Sequence, residues 1–162
     1  MSLHSYTKLW THIIWETLNR EKLLNEKAAK TISEYLFNYS KEKNIFMKIN
    51  YVNPEHVHAL IDQPTNLAME NIVKLFKGSS SHFINQERII QGKFSWGRGY
   101  AAFSVSESQL EKVVEYIKNQ KEHHRLKSYT GEYELFMKKY GLGDLIKPAL
   151  TEGGAETLEV GT

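Results

Sequence analysis

The stretch Ile45-Phe-Met-Lys-Ile-Asn-Tyr-Val52, then Asn53-Pro54-Glu55, then His56-Val-His-Ala-Leu-Ile-Asp62 decides the fold. Both flanking runs are apolar and rich in β-branched or aromatic side chains, and the Asn-Pro step between them is a turn signal. They read as the second and third strands of a sheet. Upstream, residues 26–43 carry Ala28, Ala29, Ile32, Leu36 and Phe37 at helical spacing with lysine and glutamate between them. Before that helix, residues 7–15 are aromatic and β-branched and read as a first strand. Downstream, Asn66 is placed to cap a helix over 67–86, with Met69, Ile72, Val73, Phe76 and Phe83 as its apolar stripe. A glycine-bearing loop from Gly92 to Gly99 leads into a fourth strand, Tyr100-Ala-Ala-Phe-Ser-Val105. Ser106 or Ser108 then opens a helix to about His124, with Leu110, Val113, Val114 and Ile117 as its stripe.

The order is β-α-β-β-α-β with an extra helix. Short connections and right-handed crossovers turn it into an α+β, ferredoxin-like antiparallel sheet with helices on one face. The first and third strands are then the central pair. A last amphipathic segment spans 132–140, and beyond Gly143 the chain turns to Gly, Thr and Glu. The expected organisation is one domain over residues 1–145 and a disordered tail over 146–162.

The chain has 162 residues, 41% of them hydrophobic and 25% charged, which is ordinary for a soluble globular domain. No apolar run approaches the roughly 20 residues of a membrane span. The N-terminus has no basic and apolar leader pattern, and cysteine is absent. Disulfides and thiolate sites are therefore excluded, and a reducing cytoplasm is the expected location. The net charge is +2, but residues 149–162 hold Glu152, Glu156 and Glu159 with no lysine or arginine, which leaves +5 on residues 1–148. That excess suits a phosphate-binding surface, although many proteins without nucleic-acid partners are equally basic.

Two pairs of side chains carry chemistry. On a strand, His56 and His58 project from one face, and Val57, Ala59 and Ile61 from the other. On a helix, Tyr116 and Gln120 lie four apart on one face, beside the apolar stripe. Together they offer two nitrogen ligands, one oxygen ligand and one oxygen nucleophile, enough to hold a metal ion over a phosphodiester and attack it. Each pair also has a plain reading: two strand histidines satisfied by neighbours, and an aromatic with a solvated amide on an amphipathic helix.

Taken in order, these residues resemble the HUH motif of single-tyrosine transposases, the small insertion-sequence enzymes that act on single-stranded DNA and are related to the repeat-associated tyrosine transposases. The similarity runs through His12-Ile-Ile-Trp15, Asn53-Pro-Glu-His-Val-His58, Trp96 with Gly99-Tyr100, Ser104-Val105 and Tyr116-Ile-Lys-Asn-Gln120, covering residues 7 to about 125. The resemblance implies that Tyr116 forms a 5′-phosphotyrosine link and frees a 3′-hydroxyl. It implies that His56, His58 and Gln120 hold Mg²⁺ or Mn²⁺. It also implies a single-stranded or hairpin DNA substrate and a homodimer in which the Tyr116 helix of one subunit completes the other's site. The large apolar groups of the first strand (Leu9, Trp10, Ile13, Ile14, Trp15) point the same way, being more than one small sheet easily covers.

His12, on the neighbouring strand, is a candidate to orient the histidine pair from behind. Lys74, Lys77, Arg88, Lys93 and Arg98 are candidate phosphate contacts, with Trp96 and Tyr100 as stacking surfaces for bases. Many relatives have glycine ahead of the tyrosine helix. Here the junction is Ser104-Val-Ser-Glu-Ser108, which restrains helix movement. The competing readings are a domesticated or inactive hairpin-DNA-binding relative and a replication or relaxase-type nicking enzyme. The latter usually adds a third histidine beside the motif or further domains. A zinc-binding module without catalysis fits least, for want of cysteines.

Overall fold

The computed structural model describes residues 5–121 and 139. Strand β1 (Trp10–Glu16) leads through a 3-10 turn to helix α1 (Glu26–Glu42), then β2 (Phe46–Val52), β3 (His56–Asp62), helix α2 (Met69–Gln86), β4 (Ala101–Ser104) and helix α3 (Leu110–Lys118). The strands lie in the order β2-β3-β1-β4, and every neighbouring pair is antiparallel. This is the expected ferredoxin-like sheet, with β1 and β3 at its centre.

Local chemistry accounts for the elements. The Asn25 side chain accepts a hydrogen bond from the Ala28 amide at 2.8 Å and starts α1. Ala28, Ile32, Leu36 and Ser40 then recur every four residues on its buried side. The central strands are buried on both faces, as their unbroken apolar runs require, whereas edge strand β2 alternates between exposed and buried. Helix α2 begins at Met69 with Ala68 in the cap position and no capping side chain. The expected Asn66 cap sits two residues too early, in an exposed turn that the chain needs before the helix can start.

Strand alternation sorts the core into two layers. Ile13, Trp15, Val57, Ala59 and Ile61 face α1 and α2 and join the larger cluster with Ile32, Leu36, Ile72 and Phe76. The other face carries Trp10 and Leu60, which pack with Val105, Leu110, Val113 and Ile117 under α3. Among the described residues, the tyrosine helix is thus the helix that covers the face α1 and α2 leave open. Within this one chain Trp10, Ile13, Ile14 and Trp15 are all buried, and only Leu9 is exposed. The first strand therefore needs no second subunit to cover it, which corrects that argument for a dimer. Among the described residues no helix is long and apolar enough to cross a membrane. The end of the expected helix to His124, most of the 132–140 segment and the 146–162 tail lie outside the described residues.

Candidate active site

Antiparallel register puts His56 opposite Glu16, His58 opposite Ile14 and Leu60 opposite His12, all on the α3 side of the sheet. His12, His56 and His58 are completely buried. His56 Nδ1 lies 2.7 Å from Glu55 Oε1, so this nitrogen holds the proton and donates it to the carboxylate. Its Nε2 keeps a lone pair, which accepts from Asn53 Nδ2 at 3.2 Å. His58 is contacted on both sides: Nε2 is 3.1 Å from His56 Nε2, and Nδ1 is 2.8 Å from His12 Nε2. The rings satisfy one another when His12 donates to His58 and His58 donates to His56.

Helix α3 supplies the rest. The Tyr116 ring meets His58 edge-on, with centroids 5.9 Å apart. Gln120, just past the helix end and fully buried, presents Oε1 to Asn53 Nδ2 at 3.2 Å and donates through Nε2 to the Tyr116 carbonyl at 3.3 Å. The four residues singled out from the sequence are therefore brought together, and within one chain. His12 reaches His58 on the nitrogen turned away from His56, so it stands behind the pair rather than beside it.

Two residues of this cluster enter the sequence reading as a turn and as part of the matched Asn53–His58 stretch, with no role of their own. Asn53 and Glu55 are 1% and 2% exposed, and both bond His56. The available signal was a carboxylate directly preceding a strand histidine, the usual means of fixing an imidazole's proton.

The donor set fits a divalent ion. Adjacent ligands of an octahedral ion, each at about 2.1 Å, sit about 3 Å apart, the spacing of the two histidine Nε2 atoms. The Asn53 amide nitrogen is hydrogen-bonded to both His56 Nε2 and Gln120 Oε1, so those two acceptors already converge on one electropositive group. Among the described residues no three His, Cys, Asp or Glu side chains form a group that could hold a metal ion; the oxygen donor beside the pair is Gln120 Oε1, which shares the Asn53 amide with His56.

The remaining candidates are not gathered here. Trp96 is buried against Trp15 and Phe94, and its Nε1–H is donated to Ser80 Oγ at 2.8 Å, so its ring is a core group and not an open stacking face. Lys77 donates to the Gly97 and Gly99 carbonyls at 2.6 and 3.0 Å and holds that loop; burial lowers its pKa. Tyr100 is half-buried, and burial followed by the Glu70 charge raises its pKa. Lys74, Arg88, Lys93 and Arg98 are exposed on α2 and the segment after it.

A ferredoxin-like sheet with a histidine pair at its centre and a tyrosine helix across it is the arrangement of a tyrosine transposase domain. Residues 5–120 match the family described as "Transposase IS200 like", and the chain belongs to that family. It is 25% identical over 114 residues to the ISDra2 transposase TnpA of Deinococcus radiodurans, covering 67% of this chain and 81% of that protein. A solved transposase structure from Deinococcus radiodurans has the same fold, with a TM-score of 0.57 at 24% identity, over 74% of this chain and 96% of that one. The REP-associated tyrosine transposase, solved bound to a REP hairpin, aligns with a TM-score of 0.50 at 12% identity, over 100% of this chain and 92% of its own.

Proposed function

We propose that this transposase cleaves and rejoins single-stranded DNA at insertion-sequence ends, recognising hairpin DNA as the REP-associated relative does. The observation that carries the reading is the buried convergence of His56 Nε2, His58 Nε2 and Gln120 Oε1 next to the Tyr116 ring. Tyr116 Oη attacks the scissile phosphorus and forms a phosphotyrosine bond to the 5′ end of the downstream strand. The bond to the upstream 3′ oxygen breaks, the phenol gives up its proton and the 3′ oxygen takes one up. Because one phosphodiester replaces another, a new 3′-hydroxyl reverses the step without ATP.

His56, His58 and Gln120 would hold Mg²⁺ or Mn²⁺, which polarises the phosphate and offsets charge developing on its oxygens. Ligation at His58 Nε2 requires its proton to sit on Nδ1, and His12 Nε2 at 2.8 Å is placed to accept it. Glu55 does the same for His56. The homodimer implied by the sequence resemblance belongs to this proposal, as do phosphate contacts from Lys74, Arg88, Lys93 and Arg98.

The test is cleavage of an oligodeoxynucleotide bearing the palindrome beside the reading frame and its single-stranded flank. Wild type should give a covalent protein–DNA band and a free 3′-hydroxyl. Tyr116→Phe should give neither while still binding the hairpin. Excess chelator should stop cleavage and added Mn²⁺ restore it; full activity in chelator would remove the metal from the mechanism.

A further inference from the structure

A cavity of about 460 Å³ opens at the outer edge of the sheet, between the end of β2 and the first turns of α1. It is separate from the histidine cluster yet shares a wall with it. Asn53 lines the cavity and also bonds His56 and Gln120. Tyr51, another lining residue, is in register with His58 and packs with the α3 layer, so its half-buried ring stands between the cleavage site and the cavity. Leu24, Val52 and Pro54 make the walls largely apolar.

Lys30, Lys121 and Glu26 also line the cavity, leaving one net positive charge. Among the described residues Lys121 is held by an ion pair to Glu26 at 3.0 Å, with both side chains highly exposed. Such pairs contribute little, so a phosphate can compete for the lysine. The volume falls within the roughly 300–1,000 Å³ of small-molecule pockets. Apolar walls, one aromatic ring and cations at the entrance are what an unstacked base and its phosphate require.

We propose that this cavity receives one nucleobase of the single strand next to the scissile phosphate, stacked on Tyr51, with Lys30 and Lys121 on its backbone. The assignment rests on the strand-cleavage reading above. A strand crossing the histidine pair at the sheet centre leaves over an edge, and the β2 edge is where a binding space adjoins the site. Anchoring one base there sets the register of the strand and thereby selects which phosphate lies under Tyr116.

The experiment places 5-iodouracil at each position of the single-stranded flank in turn, irradiates the complex with full-length wild-type protein and maps crosslinked peptides by mass spectrometry. One flank position should crosslink to the peptide containing Tyr51. Tyr51→Ala should weaken binding of the flanked hairpin about 5- to 150-fold, the range for one base stack, and raise KM more than it lowers kcat. Tyr51→Phe should restore it, and binding of the stem alone should be unchanged in both variants. Crosslinks that map elsewhere while the wild type still cleaves would overturn the cavity assignment and leave the cleavage reading standing. A wild type that neither binds nor cleaves the flanked hairpin would remove both.

Discussion

Four side chains, Tyr116, His56, His58 and Gln120, were legible as a group because strand and helix periodicities put each pair on one face. The structure adds that His56, His58 and Gln120 are fully buried, with Tyr116 half-buried beside them. Buried imidazoles need hydrogen-bond partners, and here the partners are Glu55, Asn53 and His12, of which only His12 was anticipated. Asn53 and Glu55 were hidden by their own chemistry: Asn-Pro-Glu is a turn in most contexts, and burial of a turn carboxylate is a tertiary fact. Removing an outer partner of a metal-binding histidine commonly lowers affinity about 10- to 100-fold. Glu55→Ala and His12→Ala should therefore both weaken Mn²⁺ binding by that order, measured by isothermal titration on the DNA-free protein. Unchanged affinity in both variants would show that these contacts merely fill space.

At the level of elements, α1, β2 and β3 could be placed almost to the residue, because the helical spacing over 26–43, the apolar runs 45–52 and 56–62 and the Asn53-Pro54 turn between them leave little room for other bounds. The start of α2 could not, since Ala68 gives no capping signal. The α3 junction was read as stiff for lack of glycine, and its restraint has a concrete source. Trp10 Nε1–H donates to Glu107 Oε2 at 2.7 Å, and the Val105 amide donates to the Trp10 carbonyl at 2.9 Å. Both bonds tie the segment ahead of α3 to the central strand. Hydrogen bonds to charged groups contribute about 1.5–3 kcal/mol. Glu107→Ala should therefore loosen α3 by about that amount, seen as faster hydrogen exchange of α3 amides with β1 and β3 protection retained. Cleavage should fall further than global stability does, because α1 and α2 stabilise the sheet from the other face. Equal loosening of the whole sheet would mean that α3 is part of one cooperative unit.

For the whole molecule, the sequence argument for a dimer leaned partly on the bulk of the first strand, and that part fails for a physical reason. In this small sheet Ile13 and Trp15 of the central strand join the layer under α1 and α2, Trp10 joins the layer under α3, and Ile14 is buried as well, so all four are covered within the one chain. The sequence resemblance implies that α3 completes the site of the other subunit, whereas the sequence pattern does not say which face of the sheet α3 covers. In the single chain, α3 lies over its own histidine pair, and Ile117 is fully buried beside Leu60. For that helix to serve another subunit, the Trp10–Glu107 contact would have to break and Leu110, Val113 and Ile117 would have to leave their layer. Deleting such side chains from a core commonly costs about 2–5 kcal/mol each, so the exchanged form would need an equivalent layer in the partner. We therefore expect the catalytic site to act in cis. The check is to mix Tyr116→Phe protein with His56→Ala/His58→Ala protein, each inactive alone, under conditions where any dimers exchange. With cis sites every site lacks either the nucleophile or the ligands, and no cleavage returns. Recovered cleavage in the mixture would show that α3 crosses between subunits despite its anchored junction, and the same Glu107→Ala change should then increase the recovery.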